Sequence, residues 1–286
     1  DMLTTNPPLS MQMPRGKFII DAFIKDRQPQ LGLTLSGTEA QDKGTPSVVG
    51  SFAGRVWYAG VESASVSGAA FDDKVKYNST LFFSQILETH DHAAKCYQEN
   101  DPTSKDFSEI LDTDGGTIEL TGAGDIKKIV SLNNFLIILA DNGIWTVVGG
   151  RDGFTASSYS VRQVSNIGCI SADSAVLVEG SLVYWSQAGI YALSVDPQSQ
   201  DIRTDNITQD TIQTRYSSIS ILAKKYASGY FDSAQRRVVW SYSGDVSFTG
   251  LSDKWVKTKE LIFDMVLKSW SPYSISPLAA NTPYIM

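Results

Sequence analysis

A gapless internal repeat constrains this chain more than any other feature: a shift of 46 positions carries Val130 onto Val176. The same shift sets Asn134 on Gly180, Leu136 on Leu182, Ile137 on Val183, Gly143 on Gly189, Ile144 on Ile190 and Trp145 on Tyr191. Each copy is a pair of β-rich runs joined by a turn that ends in glycine. That glycine (Gly143 or Gly189) is expected to supply the positive φ of a tight hairpin. A second turn, Asn133-Asn134 or Glu179-Gly180, precedes each pair and implies a further strand before it. Three or four short strands per unit of about 40 to 50 residues is the pattern of a β-propeller blade.

Weaker copies flank these two. Val48-Val49-Gly50-Ser51-Phe52 turns through Ala53-Gly54 into Arg55-Val56-Trp57-Tyr58-Ala59. Downstream, Tyr230-Phe231-Asp232 turns into Arg236-Arg237-Val238-Val239-Trp240, and Glu260 to Met265 followed by Lys268 to Ser271 reads as the closing strands of another unit. One such unit cannot bury both its faces, so several must stack. The expected fold is all-β, a β-propeller of three- to four-stranded antiparallel blades, roughly five or six of them. The propeller body is expected over 48–275, with a long irregular insertion at about 88–125. Residues 1–47, with a strand at Lys17 to Ile24, read as an N-terminal extension or part of a neighbouring domain, and 276–286 as a tail.

Composition narrows the class. Of 286 residues 42% are hydrophobic and 19% charged, enough apolar side chain for a full core. The longest apolar run is six residues, Phe135 to Ala140, against roughly 20 for a membrane-spanning helix. The opening Asp1-Met2-Leu3-Thr4 has neither the basic nor the apolar region of a signal peptide. A net charge of −7 argues against gripping nucleic acid through its phosphates. The two cysteines, Cys96 and Cys169, have no zinc spacing and are expected as buried thiols.

Candidate chemistry is sparse. Both histidines, His90 and His92, lie in Glu88-Thr89-His90-Asp91-His92, ahead of Cys96, Glu99 and Asp101. On a strand the two rings would share a face and could hold a metal, but nothing nearby fixes further ligands, and a solvated loop is the expectation. Asp101, Asp106, Glu109, Asp112, Asp114 and Glu119 lack calcium-loop spacing. Asn78-Ser79-Thr80 and Asn206-Ile207-Thr208 match the glycosylation pattern. Asp141-Asn142-Gly143-Ile144-Trp145 is similar to the Asp-box turn of sialidase propellers, a structural device, but of the clustered arginines such a site needs only Arg236-Arg237 are adjacent. Trp57, Trp145, Trp185 and Trp240 recur in register and read as core wedges. No catalytic, cofactor-binding or metal-binding residue is assigned, and no enzymatic activity is expected.

The run Cys96-Tyr97-Gln98-Glu99-Asn100-Asp101-Pro102-Thr103-Ser104, followed by Leu111-Asp112-Thr113-Asp114-Gly115-Gly116, resembles the tail nozzle proteins (tail tubular protein B type) of short-tailed bacteriophages. Gly54-Arg55-Val56-Trp57-Tyr58-Ala59-Gly60, Leu81-Phe82-Phe83-Ser84-Gln85, and Asn142-Gly143-Ile144-Trp145 with Gly149-Gly150 add to the resemblance, which covers about Val48 to Tyr273. It implies a structural virion protein of the phage tail, six copies of which form a homo-oligomeric channel for DNA ejection. Its implied partners are further copies of itself, other tail proteins such as adaptor and fibres, and DNA that passes through the lumen without sequence-specific binding. An acidic lumen would let phosphates pass without trapping them. The alternative is a propeller enzyme or binding module acting on host surface glycans.

Overall fold

The computed structural model describes residues 20–21, 43–63, 76–96, 110–150, 153–196, 201–244 and 257–275. The fold is all-β, and among the described residues every strand pairing is antiparallel. The chain divides into two compact units, one of residues 1–121 with 150–159 and one of 122–149 with 160–286. Of the strand expected at Lys17 to Ile24, the described part is Ile20–Asp21. Residues 97–109, including Tyr97 to Ser104, and the tail 276–286 lie outside the described residues. No helix among the described residues is long and apolar enough to cross a membrane.

In the first unit, β3 (Val48–Phe52), β4 (Arg55–Ala59), β7 (Thr80–Phe83) and β8 (Gly116–Glu119) form one sheet in that order. Short pairings among β1 (Ile20–Asp21), β2 (Lys43–Thr45), β5 (Val61–Ser63) and β6 (Lys76–Tyr77) form another. The chain leaves β4 for β5 through Gly60, at φ +57°, where a Cβ would lie 2.2 Å from Ser47 Oγ. Only glycine meets both demands.

The second unit holds three four-stranded meanders. The first is β9 (Ile126–Leu132), β10 (Phe135–Ala140), β11 (Gly143–Gly149) and β12 (Tyr159–Ser165). The second is β13 (Val176–Val178), β14 (Ser181–Trp185), β15 (Ile190–Val195) and β16 (Ile202–Asn206). Two short helices, Gln213–Ser217 and Ile221–Lys225, lead to the third: β17 (Ser228–Asp232), β18 (Arg237–Tyr242), β19 (Lys259–Asp264) and β20 (Ser269–Ser274).

The repeat maps onto the first two meanders: shifted by 46 positions, β10 and β11 fall on β14 and β15, and the end of β9 falls on β13. Their cores follow from the period-2 alternation of a strand. Leu182 and Tyr184 of β14 pack with Phe135, Ile137 and Leu139 of β10. Val183 and Trp185, on the opposite face of β14, pack with Val238 and Trp240 of β18 and Leu261 of β19. Sheet β13–β16 is therefore covered on both sides, and its central strand reads as an unbroken apolar run rather than an alternating one. Each such side chain, once buried, contributes about 1.5–3 kcal/mol.

The turns correct one expectation. Gly143 and Gly189 do not carry positive φ. They are glycines because a Cβ at Gly143 would lie 2.5 Å from Ser165 O, and one at Gly189 2.8 Å from the side chains of Asn206 and Thr208. The left-handed residues sit at the preceding turn instead: Ala53 and Gly54, Asn133, and Glu179 and Gly180. In the third meander the turns after β17 and β19 share another device. Asp232 Oδ1 accepts from Ala234 and Gln235 N–H, and Asp264 Oδ1 from Val266 and Leu267 N–H. Arg236 and Lys268 then take φ of 52° and 50° to re-enter the strand.

Candidate functional site

Arg55 opens β4 directly after the Ala53-Gly54 turn. Alternation places it on the same face as Trp57, and both side chains are buried, Arg55 at 1% exposure. Burying a guanidinium is costly unless its donors find acceptors, and here both terminal nitrogens do while Nε has none among the described residues. Nη1 donates to Ser84 O at 2.7 Å, to Thr113 O at 3.2 Å and to Asp114 O, while Nη2 donates to Asp112 O. The guanidinium carbon lies 5.6 Å from the ring centres of both Phe83 and Phe154, and the Trp57 ring lies 5.1 Å and 4.8 Å from those two rings. Burial brings the Arg55 pKa down to about 10, against the raising influence of the Asp114 and Asp112 charges, so the group stays protonated near neutrality.

The carbonyls converge because the 111–114 turn is closed on itself. Asp114 N–H donates to Leu111 O at 3.0 Å, and Asp114 Oδ2 accepts from Leu111 N–H at 2.9 Å. Ile86 N–H donates to Thr113 O, Leu87 N–H to Gly54 O and Gln85 N–H to Lys95 O, which ties the two ends of the insertion together. Asp112 also accepts from Ser157 Oγ, and hydrogen bonds from Ser157 and Thr155 hold its carboxyl below the ordinary range. A Cβ at Gly116 would lie 2.8 Å from the Phe83 ring, so the Asp114-Gly115-Gly116 motif ends in a glycine for reasons of space. Three segments singled out in the sequence thus meet at one cation: Gly54-Arg55-Val56-Trp57, Leu81 to Gln85, and Leu111 to Gly116.

A second clamp holds the Ser186–Gly189 turn between β14 and β15. Tyr216 Oη donates to Ser186 O, Lys224 Nζ to Gln187 O at 3.1 Å and Gln213 Nε2 to Ala188 O at 2.6 Å. Lys224 is 4% exposed, its ammonium 4.2 Å from the Tyr216 ring centre, and burial lowers its pKa.

The other sequence candidates do not converge. His90 and His92 occupy a 3₁₀ turn, His90–Ala94, not a strand, and so cannot share a face; His92 Nδ1 lies 2.9 Å from Ile86 O. Glu99, Asp101, Asp106 and Glu109 lie outside the described residues. Among the described residues no three His, Cys, Asp or Glu side chains group to hold a metal. Cys96 and Cys169 are both buried and not joined in a disulfide, and burial pushes Cys169 up to about 12. Asn206 is occupied, accepting from Thr208 N–H and Oγ1. Arg236 and Arg237 diverge, the first making a bidentate pair with Glu179 at 2.9 and 2.7 Å, the second pairing with Asp264 at 3.0 Å. Trp57, Trp185 and Trp240 are fully enclosed and Trp145 is 5% exposed.

Chemically, both clusters spend their donors on main-chain oxygens. They position loops. No protein-family model matches the chain, and no curated protein matches it. Sequence reasoning had named the segments around Arg55 but not their meeting. The available signal was the alternation that puts Arg55 on the face of a core tryptophan. For Tyr216 and Lys224 no comparable signal exists.

Proposed function

We propose that this chain is a structural virion protein, a component of a phage tail nozzle in which six copies form a channel for DNA ejection. In this reading the stacked meanders β9–β12, β13–β16 and β17–β20 are consecutive blades of a β-propeller body. Further partners are neighbouring tail proteins, with DNA passing unbound. The observation that supports the proposal is the meeting of three resemblance-bearing segments, around Arg55, Ser84 and Asp112 to Asp114, where the motif is used to fix a loop, as a scaffold requires. Acidic composition favours a surface that DNA slides past. Negative-stain electron microscopy of the purified chain tests it. Rings of six copies with an open centre are expected. A chain that stays monomeric at all concentrations, or that cleaves a host surface polysaccharide, overturns it.

A further inference from the structure

We infer that the free edge of β16 is a self-complementary docking strand, by which two copies of this chain pair antiparallel about Thr204. The inference does not rest on the nozzle reading, since a two-fold contact is separate from the head-to-tail contacts of a ring.

Among the described residues β16 closes its sheet and pairs only with β15. Its hydrogen-bond phase follows from the two ends of the ladder. Ile207 N–H donates to Ile190 O at 3.0 Å, and Asp196 N–H to Asp201 O at 2.8 Å. In an antiparallel ladder bonded residues alternate, so Arg203 and Asp205 turn their main-chain groups toward β15. The N–H and C=O of Ile202, Thr204 and Asn206 then point to the open edge. Such a row is a template for another strand unless something blocks it. β20, another terminal strand, is blunted by Pro272. β16 has no proline, and its charges are arranged differently.

Arg203 and Asp205 lie two residues apart on one face, both exposed. In a parallel in-register pairing each would face its own kind. In a two-fold antiparallel pairing centred on Thr204, Arg203 of one copy faces Asp205 of the other, twice. These are the non-hydrogen-bonded positions, where opposed Cα atoms approach to about 4.5 Å and side chains are closest. Thr204 meets Thr204 as a hydrogen-bonded pair, and Ile202 meets Asn206 on either side. Arg203 already pairs with Asp196 at 3.1 Å but remains 68% exposed, and a guanidinium has donors for a second carboxylate. Asp205 has no ion-pair partner among the described residues. The edge thus repels one strand arrangement and attracts another, and the occupant it selects is a second copy of itself.

The test uses the full chain with Thr204→Cys. Across the two-fold axis the opposed Cα atoms would stand about 5.5 Å apart, within disulfide range, while the native thiols are buried. Mild oxidation should give a covalent pair on a non-reducing gel. Adding Arg203→Asp should slow cross-linking about tenfold, as should adding Asp205→Arg, because each sets like charges opposite one another. Mixing the two reversed chains should restore it, since each supplies what the other lacks. This rescue separates lost pairing from lost folding. A natively folded Thr204→Cys chain that fails to cross-link overturns the inference, as does a rate indifferent to either charge reversal.

Discussion

Arg55 and the Tyr216–Lys224–Gln213 trio solve one problem in opposite ways. Both satisfy carbonyls of a turn that the β-ladder leaves unpaired. Arg55 serves four carbonyls from a single side chain; the trio serves three carbonyls with one side chain each. The first arrangement concentrates risk. Its planar fork is rigid and always charged near neutrality, so it orders the loop strongly, but a single substitution removes every contact at once. The second is distributed, and each member can be lost without orphaning the others' partners.

The sharpest way to break this contrast is Arg55→Met, which removes four hydrogen bonds at once and leaves Thr113 O with Ile86 N–H and Asp112 O with Ala156 N–H in their place. A loss of about 3–5 kcal/mol is expected by denaturant titration. It should be accompanied by faster hydrogen exchange at residues 85–87 and 111–114. Arg55→Lys should recover only part of that, because an ammonium cannot reproduce the fork. Tyr216→Phe should cost about 1–2 kcal/mol, the hydroxyl's bond to Ser186 O being buried. If it costs as much as Arg55→Met, the distributed picture is wrong. Lys224→Met should be smallest, within about 1 kcal/mol, because burial of the ammonium already opposes its charge and a methionine fills similar volume.

Acid tests the carboxylates that brace the turns, Asp112 beside Arg55 among them. Asp112, Glu179 and Asp264 are held below the ordinary carboxylate range, by Ser157 and Thr155, by Arg236, and by Leu267 N–H with Arg237 respectively. For a depressed acid the stabilisation is complete above its unfolded-state pKa and is lost as pH falls through the folded one. The melting temperature should therefore decline progressively below about pH 4. Asp264→Asn should flatten part of that decline, and an unchanged acid limb would show that the third meander's turns do not contribute.

What could be read from the sequence was what is local. The repeat located β10–β11 and β14–β15 because hairpins are encoded within a few residues, and Ala53-Gly54 was legible for the same reason. Gly143 and Gly189 were found but given the wrong role. Their constraint is a neighbouring strand's backbone and side chains in space, which a one-dimensional pattern does not contain. Arg55 was visible only as part of a strand motif, since its acceptors lie 29 and 57 to 59 positions away. The His90 and His92 segment is expected as a solvated loop, and within it His90–Ala94 adopts a 3₁₀ turn, a local choice that its polar composition does not dictate.

One consequence of the doubly covered sheet concerns where variation is permitted. Because neighbours press on β14 from left and right alike, the strand has no neutral side on which drift could accumulate silently. Freedom to change is confined to the perimeter, at places such as the Ser233–Gln235 bend. An epitope or fluorophore grafted there should leave the interior undisturbed, whereas the same insertion one strand inward would split the stack.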